Sequence, residues 1–119
     1  MKKFLKGFVY AWQGVIYAFS TQINFKFHTI SALLVIMAGY FFELALHEWI
    51  WISVSIGLVI IAELFNTAIE VLVDLVSPDY HPKAGAVKDL ASAGVLLTTL
   101  LSAIIGLSIF IPKIIDYAA

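Results

Sequence analysis

The sequence predicts an all-α membrane protein, with an N-terminal amphipathic helix on the membrane surface followed by three membrane-spanning helices. Three observations predict it. Of 119 residues, 62% are hydrophobic and only 13% charged, whereas soluble domains average about 45–50% apolar and about 25% charged residues. The apolar residues gather into three runs long enough to cross a bilayer, which takes about 20 residues. Ahead of them stands a segment whose apolar residues recur at helical spacing.

That first segment covers about residues 2–20. Set at 100° per residue, Lys2, Lys3, Lys6, Tyr10, Gln13, Tyr17 and Ser20 fall on one side. Phe4, Leu5, Phe8, Ala11, Trp12, Val15 and Phe19 fall on the other. Lysines for anionic head groups opposite aromatics for the acyl boundary describe an interfacial helix. A signal peptide fits less well, because the apolar residues are interrupted and no small-x-small cleavage site follows.

The first span covers about 27–46, with His28, Thr29 and Ser31 at its start, and a polar connection from Glu43 to Glu48 follows. The second covers about 50–76; its 27 or so residues make roughly 40 Å of helix, longer than the roughly 30 Å hydrocarbon core, so its end should project into water. The stretch Ser77 to Gly85, with two prolines and a glycine, reads as a helix break. A third span covers about 88–111 and is expected to end before Pro112. The chain, 1–119, thus reads as a single membrane domain with no room for a soluble one.

Lysine placement orients it. Lys2, Lys3, Lys6 and Lys26 precede the first span, Lys83 and Lys88 separate the second from the third, and the Glu43–Glu48 connection has none. The positive-inside rule puts the N-terminus and the 77–88 loop in the cytoplasm, in a cell (inner) membrane. A net charge of −1 offers no basic field for nucleic acid. Cysteine is absent, which removes thiolate metal sites and disulfides.

The chemistry sits on the second span. Glu63, Asn66, Thr67, Glu70 and Asp74 are spaced i, i+3, i+4, i+7 and i+11, which places them on one helix stripe. Each ionisable group at mid-membrane costs on the order of 2.5–3.5 kcal/mol even on the mild insertion scale, so these groups need partners, water or a metal. Hydrogen-bonded glue between helices would suit Asn66 and Thr67. Carboxylates lack donors and repel one another when ionised. All seven cations are lysines, placed toward the loops, which makes a divalent cation a natural counter-ion; oxygen ligands with retained waters suit Mg²⁺. Glu63, deepest in the span, suits a general base acting on a hydroxyl. Glu70, nearer the loop, suits a metal carrying water-borne phosphates.

Lys88-Asp89 adds a cation and a further carboxylate beyond the loop. Lysine is a common phosphate partner, although Lys88 alone reads equally as a snorkelling anchor. There is no Gly-x-x-x-x-Gly-Lys-Ser/Thr loop and no soluble kinase motif set. Gly94, Thr98, Ser102 and Gly106 form an i, i+4 row suited to close helix packing in lipid. Three spans could hardly enclose the polar stripe, so an oligomer with sites between subunits is expected. His28 reads as an interfacial residue, His47 as an outer loop residue and His81 as a possible phosphate contact; their spacing fits no metal site.

The run Glu63-Leu-Phe-Asn66-Thr-Ala-Ile-Glu70-Val-Leu-Val-Asp74, followed by Asp79-Tyr80-His81 and Lys88-Asp89, resembles the prokaryotic diacylglycerol kinase and undecaprenol kinase family. Tyr10-Ala-Trp12-Gln-Gly14 and Asn24-Phe25-Lys26-Phe27-His28 extend the resemblance over nearly the whole chain, the latter looking more like the undecaprenol kinase branch. The resemblance implies a homotrimer in the lipid bilayer with active sites shared between neighbours. Its implied reaction moves the γ-phosphate of MgATP to the hydroxyl of a membrane lipid, undecaprenol or diacylglycerol. It implies Glu63 as catalytic base on the lipid, Asn66 as its active-site neighbour and Glu70 as metal and nucleotide ligand. Lys3, Tyr10, Asp79, Tyr80, His81, Lys88 and Asp89 match nucleotide contacts, and Trp12 and Ser92 lipid-side positions. Gln22 stands where the family commonly has a glutamate as second metal ligand, so one Mg²⁺, or a weaker second one, is expected with Gln22 as an uncharged ligand. A proton-coupled small transporter and a non-catalytic membrane subunit are the competing readings.

Overall fold

The computed structural model describes residues 1–119 as four helices and no strand: α1 Lys2–Thr21, α2 Ile23–Phe41, α3 Leu46–Val76 and α4 Pro82–Ala118. The last three are each long and apolar enough to cross a membrane. At 1.5 Å per residue, α4 alone is about 55 Å long, close to the 57 Å longest dimension of the molecule.

The helix ends differ from the expected ones at five places. One residue, Gln22, breaks the surface helix from α2; its extended backbone (φ −112°, ψ 113°) turns the chain, and α2 starts at once at Ile23 rather than near residue 27. The first span closes at Phe41, short of residue 46. Leu44 N donates to Gly39 O and Glu43 N to Tyr40 O, with Glu43 at φ 51°, which is a Schellman closure with a left-handed residue after the cap. The second span begins at Leu46, ahead of residue 50, because the Glu48 carboxylate accepts the Ala45 N–H at 2.8 Å and suits the positive end of the helix dipole.

The other two corrections concern proline. Pro82 opens α4 instead of delaying it to Lys88, since a first-turn proline loses no helical hydrogen bond. His81 caps this start, its Nδ1 accepting the Lys83 N–H at 3.1 Å. Pro112 lies inside α4, which runs on to Ala118. Proline removes one backbone hydrogen bond, a loss that membrane helices accommodate. The turns beyond it are held by Lys113, 3.1 Å from Glu48, and by Tyr117 against Phe41 and Phe42.

The interior is a stripe on α3: Ile52, Ser55, Val59, Glu63, Asn66 and Thr67. Four of these six are polar. They are joined by Ala18 of α1 and Phe25 and Gly39 of α2, whereas α4 buries no residue completely. The α3–α4 pair is closed by reciprocal bonds, Ser102 Oγ donating to Ser55 O at 2.9 Å and Ser55 Oγ to Ser102 O at 3.4 Å. Of the small-residue row, Ser102 makes this contact, while space for a Cβ is open at Gly94 and Gly106. Within one chain the row is therefore a packing face only in its middle.

Candidate active site

The deep carboxylate on α3 has a partner in the chain. Glu63 is 2% exposed, and its Oε1 lies 3.3 Å from Nε2 of His28 on α2. Sequence reasoning placed His28 at the membrane boundary. His28 lies more than a turn into α2, which starts at Ile23, and faces α3, a pairing that the boundary reading did not contain. The signal was available: a buried carboxylate requires a compensating group, there is no arginine, and His28 is the only histidine in the first half of that span.

Toward the loop, Thr67 Oγ1 donates to the Glu63 carbonyl at 2.8 Å, an in-helix bond that does not involve the Glu63 carboxylate. Asn66 Nδ2 reaches Glu70 Oε1 at a long 3.5 Å, and the buried Oδ1 of Asn66 has no partner. One turn on, Lys88 Nζ donates to Asp74 Oδ1 at 2.6 Å, drawing the start of α4 onto the end of α3. Three polar pairs thus follow one another along α3: His28–Glu63, Asn66–Glu70 and Lys88–Asp74.

The remaining sequence-selected residues lie outside these pairs. Lys3, Tyr10 and Trp12 are exposed on α1, and Asp89 and Ser92 on α4; their side chains make no hydrogen bond or ion pair. Asp79 and Tyr80 are exposed on the loop, where the Asp79 carbonyl accepts Ser77 Oγ at 3.2 Å. His81 is committed at Nδ1 to capping α4, leaving Nε2 free. Gln22, half-buried at the α1–α2 junction, has an unbonded side-chain amide.

Alongside the stripe runs an apolar groove of about 420 Å³ between α2, α3 and α4. Val35, Ile52, Val59 and Leu107 are among its walls, and His28 lines it. The oxygen donors Glu70, Gln22 and the orphaned Asn66 Oδ1 are of the hard kind that suits Mg²⁺. No three His, Asp or Glu side chains of one chain converge on a point.

Residues 9–110 match the family model described as prokaryotic diacylglycerol kinase. The chain belongs to the prokaryotic diacylglycerol kinase family. An undecaprenol kinase of Bacillus subtilis is 42% identical over 96% of this chain and 93% of its own length. A diacylglycerol kinase of Synechocystis is 40% identical over 94% of this chain and 65% of its own length, and that of Escherichia coli 28% identical over 86% and 84%. With these relatives the chain is a lipid kinase, which sets aside the transporter and the non-catalytic subunit.

Proposed function

We propose that this lipid kinase transfers the γ-phosphate of MgATP to the hydroxyl of a membrane lipid, undecaprenol in the first place and diacylglycerol in the second. The observation that carries the mechanism is Glu63, a carboxylate 2% exposed at the level of the membrane-spanning helices, next to the residue that lines an apolar groove. Such a carboxylate serves as general base for an alcohol delivered from the membrane. The near end-to-end likeness to an undecaprenol kinase supports the first acceptor.

In this reading the lipid chain lies in the groove and its hydroxyl meets Glu63. Asn66 presents its free Oδ1 beside them. Glu70, with the Gln22 amide oxygen, would hold Mg²⁺, which when bound would neutralise charge on the transferring phosphates. Lys88 leaves Asp74 for a phosphate oxygen, and Asp79, Tyr80, His81 and Asp89 line the nucleotide with Lys3 and Tyr10. Trp12 and Ser92 face the lipid. The N-terminus and the 77–81 loop are cytoplasmic, supported by the lysine distribution. A homotrimer completes the sites, supported by an α4 that buries no residue completely within one chain.

The test is transfer of labelled γ-phosphate from MgATP to undecaprenol and to diacylglycerol in parallel, in bicelles, with Glu63→Gln as the blank. Transfer to undecaprenol that is faster than to diacylglycerol and absent in Glu63→Gln is the expected result. Equal transfer by Glu63→Gln would remove Glu63 from the role of base.

A further inference from the structure

Glu63 is read above as the base, and a base must hold one oxygen free and aimed. The chain offers its carboxylate a single polar neighbour. Thr67 spends its hydroxyl on the Glu63 backbone carbonyl, the Asn66 amide points to Glu70, and Lys88 is held by Asp74. His28 alone reaches the carboxylate, with Nε2 3.3 Å from Oε1.

His28 is also well placed to be rigid. It sits inside the second turn of α2, and its ring packs edge-on to Phe27, centroids 5.6 Å apart at 77°. Its side chain is 15% exposed. The same ring forms part of the apolar groove, which Glu63 does not line. One side chain therefore touches both the carboxylate and the space into which a lipid chain fits.

We propose that His28 is a positioning residue for Glu63: Nε2, 3.3 Å from Oε1, holds that oxygen, donating its N–H once the ring turns toward it, and leaves Oε2 as the oxygen that takes the proton of the lipid hydroxyl. The inference rests on the reading of Glu63 as base. In the transfer the lipid O–H bond breaks and its proton goes to Oε2. The lipid oxygen bonds to the γ-phosphorus, and the bond from that phosphorus to the bridging oxygen of ADP breaks, the electron pair leaving with ADP. His28 is not the proton acceptor; it fixes the orientation of the carboxylate beside the end of the groove that His28 itself lines.

Two substitutions separate donor from shape. His28→Phe keeps a planar ring and removes the N–H. His28→Gln places an amide N–H near the position of Nε2. The measurement is kcat and KM for MgATP and lipid in bicelles, with assembly checked by size exclusion in detergent. The expected result is a kcat about 10- to 100-fold lower in His28→Phe, the range for losing one hydrogen bond to a charged group, with KM for MgATP unchanged and most of kcat restored in His28→Gln. A third variant, His28→Ala, should regain turnover when imidazole is added to the buffer.

Wild-type kcat in His28→Phe, or an equal fall in the Phe and Gln variants with no imidazole rescue of His28→Ala, would overturn the inference while an inactive Glu63→Gln left the base in place. An active Glu63→Gln would overturn the base reading, and this inference with it, whatever the His28 variants do. If His28→Phe fails to assemble, His28→Gln and the imidazole rescue decide alone: loss of turnover in the first and no recovery in the second would overturn it.

Discussion

Lys88 reaches back from α4 to Asp74 at the end of α3, Nζ to Oδ1 2.6 Å, and so ties the two long helices together beside the 77–81 loop. Both side chains stay wet, 40% and 69% exposed, and solvent screening leaves such a pair little weight in stability. Its removal should therefore barely disturb folding. Lys88→Met is expected to keep assembly and thermal stability while raising KM for MgATP several-fold, because the variant cannot exchange Asp74 for a phosphate. Asp74→Asn, which frees Lys88 for the phosphate, should leave it unchanged or lower it. Steady-state kinetics beside a thermal melt in detergent measures both; an unchanged KM in Lys88→Met would confine this lysine to holding the helices.

Gly39 is required by a neighbour. A Cβ on it would stand 2.5 Å from the outer ring carbon of Trp49 and 3.0 Å from a methyl of Leu44. The Trp49 ring also packs against Tyr40, centroids 5.0 Å apart, so moving it disturbs a second contact. Overpacking of this kind costs roughly 1–3 kcal/mol. Gly39→Ala should lower the melting point and shift Trp49 fluorescence, and Gly57→Ala, with open space around it, should do neither.

The carboxylate stripe was legible because period and cost agree: Glu63, Asn66, Glu70 and Asp74 fall on one face, and a membrane helix rarely turns ionisable groups to lipid. The helix ends were less so. Pro82 and Pro112 carry the same local signal, yet one opens α4 and the other lies within it; the difference is set by the partners of Lys113 and Tyr117 on distant helices. His28 was missed for a similar reason. Its place opposite Glu63 depends on where α2 begins, and one extended residue, Gln22, decides that.

Glu43 is the sole non-glycine residue with a positive φ, 51°, and it sits where a Schellman closure favours glycine. A left-handed backbone costs an L-residue roughly 1–2 kcal/mol, part of which glycine forfeits through its greater freedom when unfolded. Glu43→Gly should therefore stabilise the fold by about 0.5–1 kcal/mol, read as a higher melting point, without changing turnover. A lower one would mean that the Glu43 side chain makes a contact in the assembled protein that outweighs the strain.

Gln22 offers the test of the metal assignment. Its side-chain amide is unbonded, at the hinge between α1 and α2, and an amide coordinates Mg²⁺ only as a neutral oxygen. If Gln22 and Glu70 share an ion, Gln22→Glu adds a charge to that shell and should lower the Mg²⁺ concentration for half-maximal turnover several-fold. Glu70→Gln, which removes one, should raise it and KM for MgATP together. Mn²⁺ titration followed by electron paramagnetic resonance, with a non-hydrolysable nucleotide present, reads the affinity apart from catalysis. Equal Mn²⁺ binding in wild type and Gln22→Glu, against a clear loss in Glu70→Gln, would leave Glu70 as the protein's own ligand and return Gln22 to the backbone role in which its extended conformation already places it.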